Sequence, residues 1–123
     1  MTKRDDRVSL VDMLVYSEEA VELLGEASAI DLADDRLLQL AFERLVGIVG
    51  EAASRVSPAT QQRHPEIPWA QIIGMRNRVV HGYDAIVLSR MWDTVRYEMP
   101  PLVEQLVAIG GRDPGRSVQG DGP

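Results

Sequence analysis

The sequence predicts an all-α protein, an up-and-down four-helix bundle, and three observations lead to it. Apolar residues recur three and four positions apart through four segments; no run of β-branched alternation is sustained; and the connections are short. Four amphipathic helices with short loops between them share one core most simply as antiparallel neighbours. A chain of 123 residues is long enough to bury roughly two-thirds of its unfolded surface in a single domain.

The first helix is marked by Leu10, Leu14, Ser17, Val21, Leu24 and Ser28, with Asp12, Glu18, Glu19, Glu22 and Glu26 between them. The second is expected from about Asp34, an N-cap with acidic Asp35 beside it, through Leu38, Ala41, Leu45, Ile48 and Ala52. Its other faces carry Phe42, Val46 and Val49, so it is expected to be covered on more than one side. The segment "SPATQQRHPEIP" reads as a break, and Pro68 suits the first turn of a third helix running to about His81, ended by Gly82. The fourth carries Leu88, Trp92, Val95, Met99, Leu102, Leu106 and Ile109, and Pro100-Pro101 inside it is expected to kink or divide it. Trp69, Trp92 and the methionines read as core. The expected domain is residues 1–109, with a disordered, Gly- and Pro-rich tail at 110–123.

Composition removes several function classes. Without cysteine there are no disulfides and no thiolate metal sites. The start "MTKRDDRVSL" is charged where a signal peptide would be apolar, and no apolar run reaches the ~20 residues of a membrane span, so a cytoplasmic protein without membrane contact is expected. The net charge of −6 argues against a general nucleic-acid coat, but the charge is uneven. Residues 1–54 hold 5 basic against 12 acidic groups, net −7, whereas residues 55–96 hold 6 against 3, net +3. An anionic ligand is compatible with that gradient.

The positive charge gathers around "IIGMRNRVVHGYD", residues 72–84. On a regular helix Asn77, Arg78 and His81 share a face with Gly74, whose cost of about 1 kcal/mol relative to Ala points to something approaching the backbone there. Arg76 lies five residues before His81, about 140° away, so spacing alone favours Arg78 as the histidine's neighbour. A histidine that exchanges protons near neutrality, beside arginines that are always charged, suits metal-free RNA cleavage. In that reaction a base takes the 2′-hydroxyl proton and a cation stabilises the phosphoryl oxygens. A metal site has little support, since His64, the second histidine, lies in the loop before the third helix. No P-loop, nucleotide-fold glycine fingerprint or nucleophile elbow is present.

"RNRVVHGY" resembles the Arg-x4-His-x-Tyr signature of the HepT-like branch of the HEPN superfamily, the toxins of HepT/MntA toxin–antitoxin pairs. "ERLVGIVGEAASRV", "RHPEIPWAQIIGMRNRVVHGY" and "MWDTVRYEMPPLVEQL" are similar to that branch in order and spacing, over roughly residues 8 to 108. The resemblance implies a HEPN-like bundle that forms a homodimer, with two Arg-x4-His elements facing one cleft, and metal-independent RNA endonuclease activity without a cofactor, leaving a 2′,3′-cyclic phosphate. It makes Arg76 and His81 the catalytic pair, over the spacing preference for Arg78, with Asn77 and Arg78 as supporting RNA contacts. It also makes Tyr83 the acceptor of AMP from an MntA-type nucleotidyltransferase antitoxin, which silences the toxin. The alternative is a non-catalytic HEPN module that binds nucleotide or the nucleotidyltransferase partner.

Overall fold

The computed structural model of the protein describes residues 5–77 and 85–111. Every regular element among them is helical. Helix α1 spans Asp6–Leu24, capped by the Asp5 carboxylate on the Arg7 N–H and closed at Gly25, whose φ of 50° takes the left-handed turn and whose N–H reaches the Val21 carbonyl. The short α2, Ala29–Ala33, begins at a reciprocal capping box between Ser28 and Asp31. Helix α3, Arg36–Ser54, is capped by Asp35, one residue later than the expected Asp34, with the Asp35 carboxylate accepting from the Leu38 N–H.

Helix α1 shows how periodicity can miss by one position. Its buried residues are Ser9, Met13, Leu14, Ser17, Ala20 and Leu24, while Leu10 and Val21 are only partly buried. Ser28 is not on this helix at all: it caps α2, because a hydroxyl that satisfies a first-turn N–H competes well with continuing the helix. On α3 the expected cover on more than one side is present, since Phe42, Val46 and Val49 are buried with Leu45 and Ala52, whereas Leu38, Ala41 and Ile48 of the expected stripe are only partly buried. This helix packs against α1 on one side and against the segment after residue 69 on another, so it is the central element of the fold.

The expected break at 57–68 is partly a helix. Ser57 caps α4, Pro58–Arg63, with Pro58 at its start, where the missing N–H costs nothing. The carboxylate of Asp6, in the first turn of α1, accepts from the Ser57 N–H at 3.0 Å, the Ser57 hydroxyl at 2.6 Å and the Thr60 hydroxyl. Burial works against the Asp6 charge, but these hydrogen bonds and nearby Arg63 outweigh it and lower the pKa below the ordinary aspartate value.

Pro68 caps α5, Trp69–Ile73, rather than sitting within its first turn, and the α-helix gives way to a 3₁₀ turn over Gly74–Asn77. Residues 78–84, including Gly82, lie outside the described residues. The chain resumes in α6, Ala85–Asp93, passes through a π turn at Thr94–Glu98 and continues as α7, Met99–Gly111. Pro100 and Pro101 fall directly after that π turn, where the Met99 N–H bonds the Thr94 carbonyl five residues back. Met91, Val95, Met99, Leu102 and Leu106 complete the core, and Trp69 and Met75 are buried with them. Residues 112–123 of the expected tail lie outside the described residues. No helix among the described residues is long and apolar enough to cross a membrane.

Candidate functional site

Residues 72–77, the described part of the stretch 72–84, pack against α3. Ile72 and Met75 are buried three residues apart, and the residues that follow, Arg76 and Asn77, are exposed. Two apolar anchors therefore fix the segment and send its polar end to the surface. Gly74–Asn77 winds as a 3₁₀ turn, at about 120° per residue, rather than as the regular α-helix assumed from spacing; the path from either arginine to His81 runs through residues outside those described.

Two consecutive residues of α3 receive Arg76. A Cβ on Gly50 would lie 2.7 Å from the Arg76 backbone nitrogen and 3.1 Å from its Cβ, closer than packed atoms allow, so only glycine admits the chain at this distance. The next residue, Glu51, accepts from Arg76 Nη1 through Oε1 at 3.1 Å. The other oxygen, Oε2, pairs with Arg55 Nη2 at 3.4 Å, one helical turn on. The glycine of close approach is thus Gly50. At Gly74, where sequence reasoning placed it, an added Cβ meets nothing within 4 Å among the described residues.

Arg76, Glu51 and Arg55 line one open groove of about 610 Å³ between α1 and α3, together with Asp12, Leu40, Glu43, Arg44 and Gly47. Its lining holds three arginines and three carboxylates and is balanced in formal charge; two of the six arginines of residues 55–96, Arg55 and Arg76, are among them. The side chains of Arg76 and Glu51 are 42% and 49% exposed, which limits their ion pair to about 0–1 kcal/mol of stability. The pair orients the arginine more than it holds the fold.

Of the residues singled out by sequence, Arg76 lines this groove and Asn77, the next residue, is exposed; Arg78, His81 and Tyr83 lie outside the described residues. His64 pairs with Glu66 at 3.6 Å, away from the groove. No group of three or more His, Cys, Asp or Glu among the described residues could hold a metal. Glu51, Arg55 and Gly50 were missed as site residues. The Glu51–Arg55 spacing was readable as a helical pair, but nothing in the sequence tied it to Arg76, 25 residues further on.

An all-α bundle with an arginine-bearing turn packed on its central helix defines the class, and similarity to known proteins narrows it. Residues 13–109 match the family model described as "Ribonuclease HepT-like". The chain belongs to this HepT-like family of the HEPN superfamily. It is 33% identical over 95 residues to "Probable ribonuclease HepT" of Thermococcus cleftensis, covering 74% of this chain and 86% of that one. It is 31% identical over 103 residues to "Putative RNase TTE0752" of Caldanaerobacter subterraneus subsp. tengcongensis, covering 84% and 92%. With "Putative RNase MJ0125" of Methanocaldococcus jannaschii it shares 25% identity, over 89% of this chain and 94% of that one. No solved structure matches the chain.

Proposed function

We propose that this protein is the toxin of a HepT/MntA-type pair, a metal-independent RNA endonuclease that works through Arg76 and His81 at a cleft between two copies. The observation that supports it most is the placement of Arg76. The first residue of the Arg-x4-His signature is set on a short turn at a groove, with its backbone against Gly50 and its guanidinium held by a groove carboxylate. Guanidinium is suited to the phosphoryl oxygens because its charge is permanent and its donors are planar. His81 would take the 2′-hydroxyl proton; O2′ then attacks phosphorus, the bond to the 5′ oxygen breaks, and that oxygen leaves as a hydroxyl once protonated. The products are a 2′,3′-cyclic phosphate and a 5′-hydroxyl, and the balance needs no oxidant or second substrate.

A second copy is part of the reading. Val8 and Val15 are 47% exposed and lie four and three residues from Asp12 of the groove, on the same face of α1. An apolar edge of this kind beside a polar groove suits a self-complementary contact. In the same reading an MntA-type nucleotidyltransferase places AMP on Tyr83, adding bulk and negative charge two residues from His81 and competing for its arginines.

His81→Ala and Arg76→Ala are each expected to abolish cleavage while keeping helicity and dimer mass, with Arg78→Ala losing less. Co-expression with the nucleotidyltransferase is expected to add the mass of AMP to wild type and not to Tyr83→Phe. The groove's carboxylates, Asp12, Glu43 and Glu51, oppose an anionic strand and leave room for the alternative, a HEPN module that binds its nucleotidyltransferase partner without cutting RNA. Folded dimer that leaves RNA intact, with Tyr83 unmodified, would decide for it.

A further inference from the structure

Glu51 joins two arginines that are far apart in sequence. One of its oxygens takes Arg76 and the other takes Arg55, at 3.1 and 3.4 Å, and all three side chains line the same groove. A carboxylate shared in this way fixes the separation and facing of two guanidiniums. Each has five N–H donors in a planar fork, so the contact with Glu51 uses one edge and leaves donors on another for a phosphate. Exposure of all three residues makes a stability role small, and Gly50 next door holds the Arg76 backbone in place, so the side-chain contact is left to set direction.

We propose that Glu51 is the positioning residue of Arg76, and that it holds Arg55 beside it as a second phosphate-binding group. The inference rests on the reading of Arg76 as the residue that holds RNA phosphate. It assigns Glu51 no contact with RNA. Its negative charge stays behind the two guanidiniums and limits how far they swing, and the phosphate meets their outward edges.

Two experiments test this, one with cleavage and one without. Glu51→Gln keeps the shape and an acceptor oxygen but loses the charge that bridges both arginines, so kcat is expected to fall about tenfold, with a smaller rise in KM as Arg55 is released. Arg76→Lys replaces the fork with a point charge, and Glu51→Gln is expected to cost nothing further in kcat in that background. Unchanged kcat with tighter RNA binding would show that Glu51 merely competes with phosphate, and an equal loss in both backgrounds would show that it acts apart from Arg76. Either result overturns its positioning role.

The second experiment measures binding of a single-stranded RNA carrying 2′-O-methyl groups throughout, which has no attacking hydroxyl, over a range of salt. Arg55→Gln is expected to weaken binding and reduce the magnitude of the salt slope by about 0.7. An unchanged affinity and slope overturns the role of Arg55. Wild type that binds this RNA but cleaves no natural RNA would sink the nuclease reading alone, leaving the arginine pair to be judged by the binding arm. Wild type that does not bind it would sink both.

Discussion

Two polar clusters in this protein use similar groups for different ends. At the junction of α1 and α4, one carboxylate, Asp6, accepts from a backbone N–H and two hydroxyls in a partly buried setting. At the groove, one carboxylate, Glu51, bridges two arginines whose side chains are close to half exposed. The Asp6 cluster ties residues 51 and 54 positions apart, and water competes poorly for its hydrogen bonds, so its removal is felt by the fold. The Glu51 cluster is wetted and screened, so its removal is felt by whatever the arginines face. Location, more than the identity of the charged group, separates a structural contact from one that prepares a site.

The largest effect expected from breaking this contrast is Arg76→Ala. Cleavage should fall at least about a hundredfold, in line with the loss of one donor to a developing phosphoryl charge, while the melting temperature moves by no more than a degree or two. Gly50→Ala should damage both properties. The new Cβ would sit 2.7 Å from a backbone nitrogen, an obstacle that no rotamer change relieves, so thermal unfolding should report about 1–3 kcal/mol of lost stability, and activity should fall as Arg76 is displaced.

Asp6→Ala is the complementary case. It should cost about 1–2 kcal/mol in denaturant unfolding without changing kcat per folded molecule. Because the folded Asp6 pKa is lowered, its contribution is fully present above the unfolded value near 4 and is lost as pH falls through the lower folded value. Stability of Asp6→Asn should therefore depend less on pH below about 4 than that of wild type. The smallest stability effect belongs to Glu51→Gln, within about 0.5 kcal/mol by the same unfolding measurement. A loss as large as that of Asp6→Ala would erase the contrast between the clusters.

The helical class, the central position of α3 and most of the core were readable from spacing, because burial on a helix repeats every three to four residues wherever tertiary packing is regular. Departures came where side chains or glycine changed the local hydrogen bonding. Ser28 started a new helix, Ser57 turned a proline-marked break into α4, and the chain tightened to a 3₁₀ turn at Gly74. Long-range pairings stayed hidden. Trp92 Nε1 bonds the Ala27 carbonyl, and Arg96 bonds the Gly25 carbonyl while stacking on Trp92, joining the α1–α2 loop to the π turn. No local pattern announces such a partner. The same holds for the groove: Arg76 was visible as part of a signature, but which glycine it approaches and which acid it meets depend on how α5 lies on α3.

Cut-end analysis in the presence of EDTA tests the account at its centre. Purified wild type incubated with mixed RNA should leave fragments ending in 2′,3′-cyclic phosphate and 5′-hydroxyl, and His81→Ala should leave the RNA intact. Cleavage that stops with EDTA, ends that carry 5′-phosphate, or equal cutting by His81→Ala would contradict it.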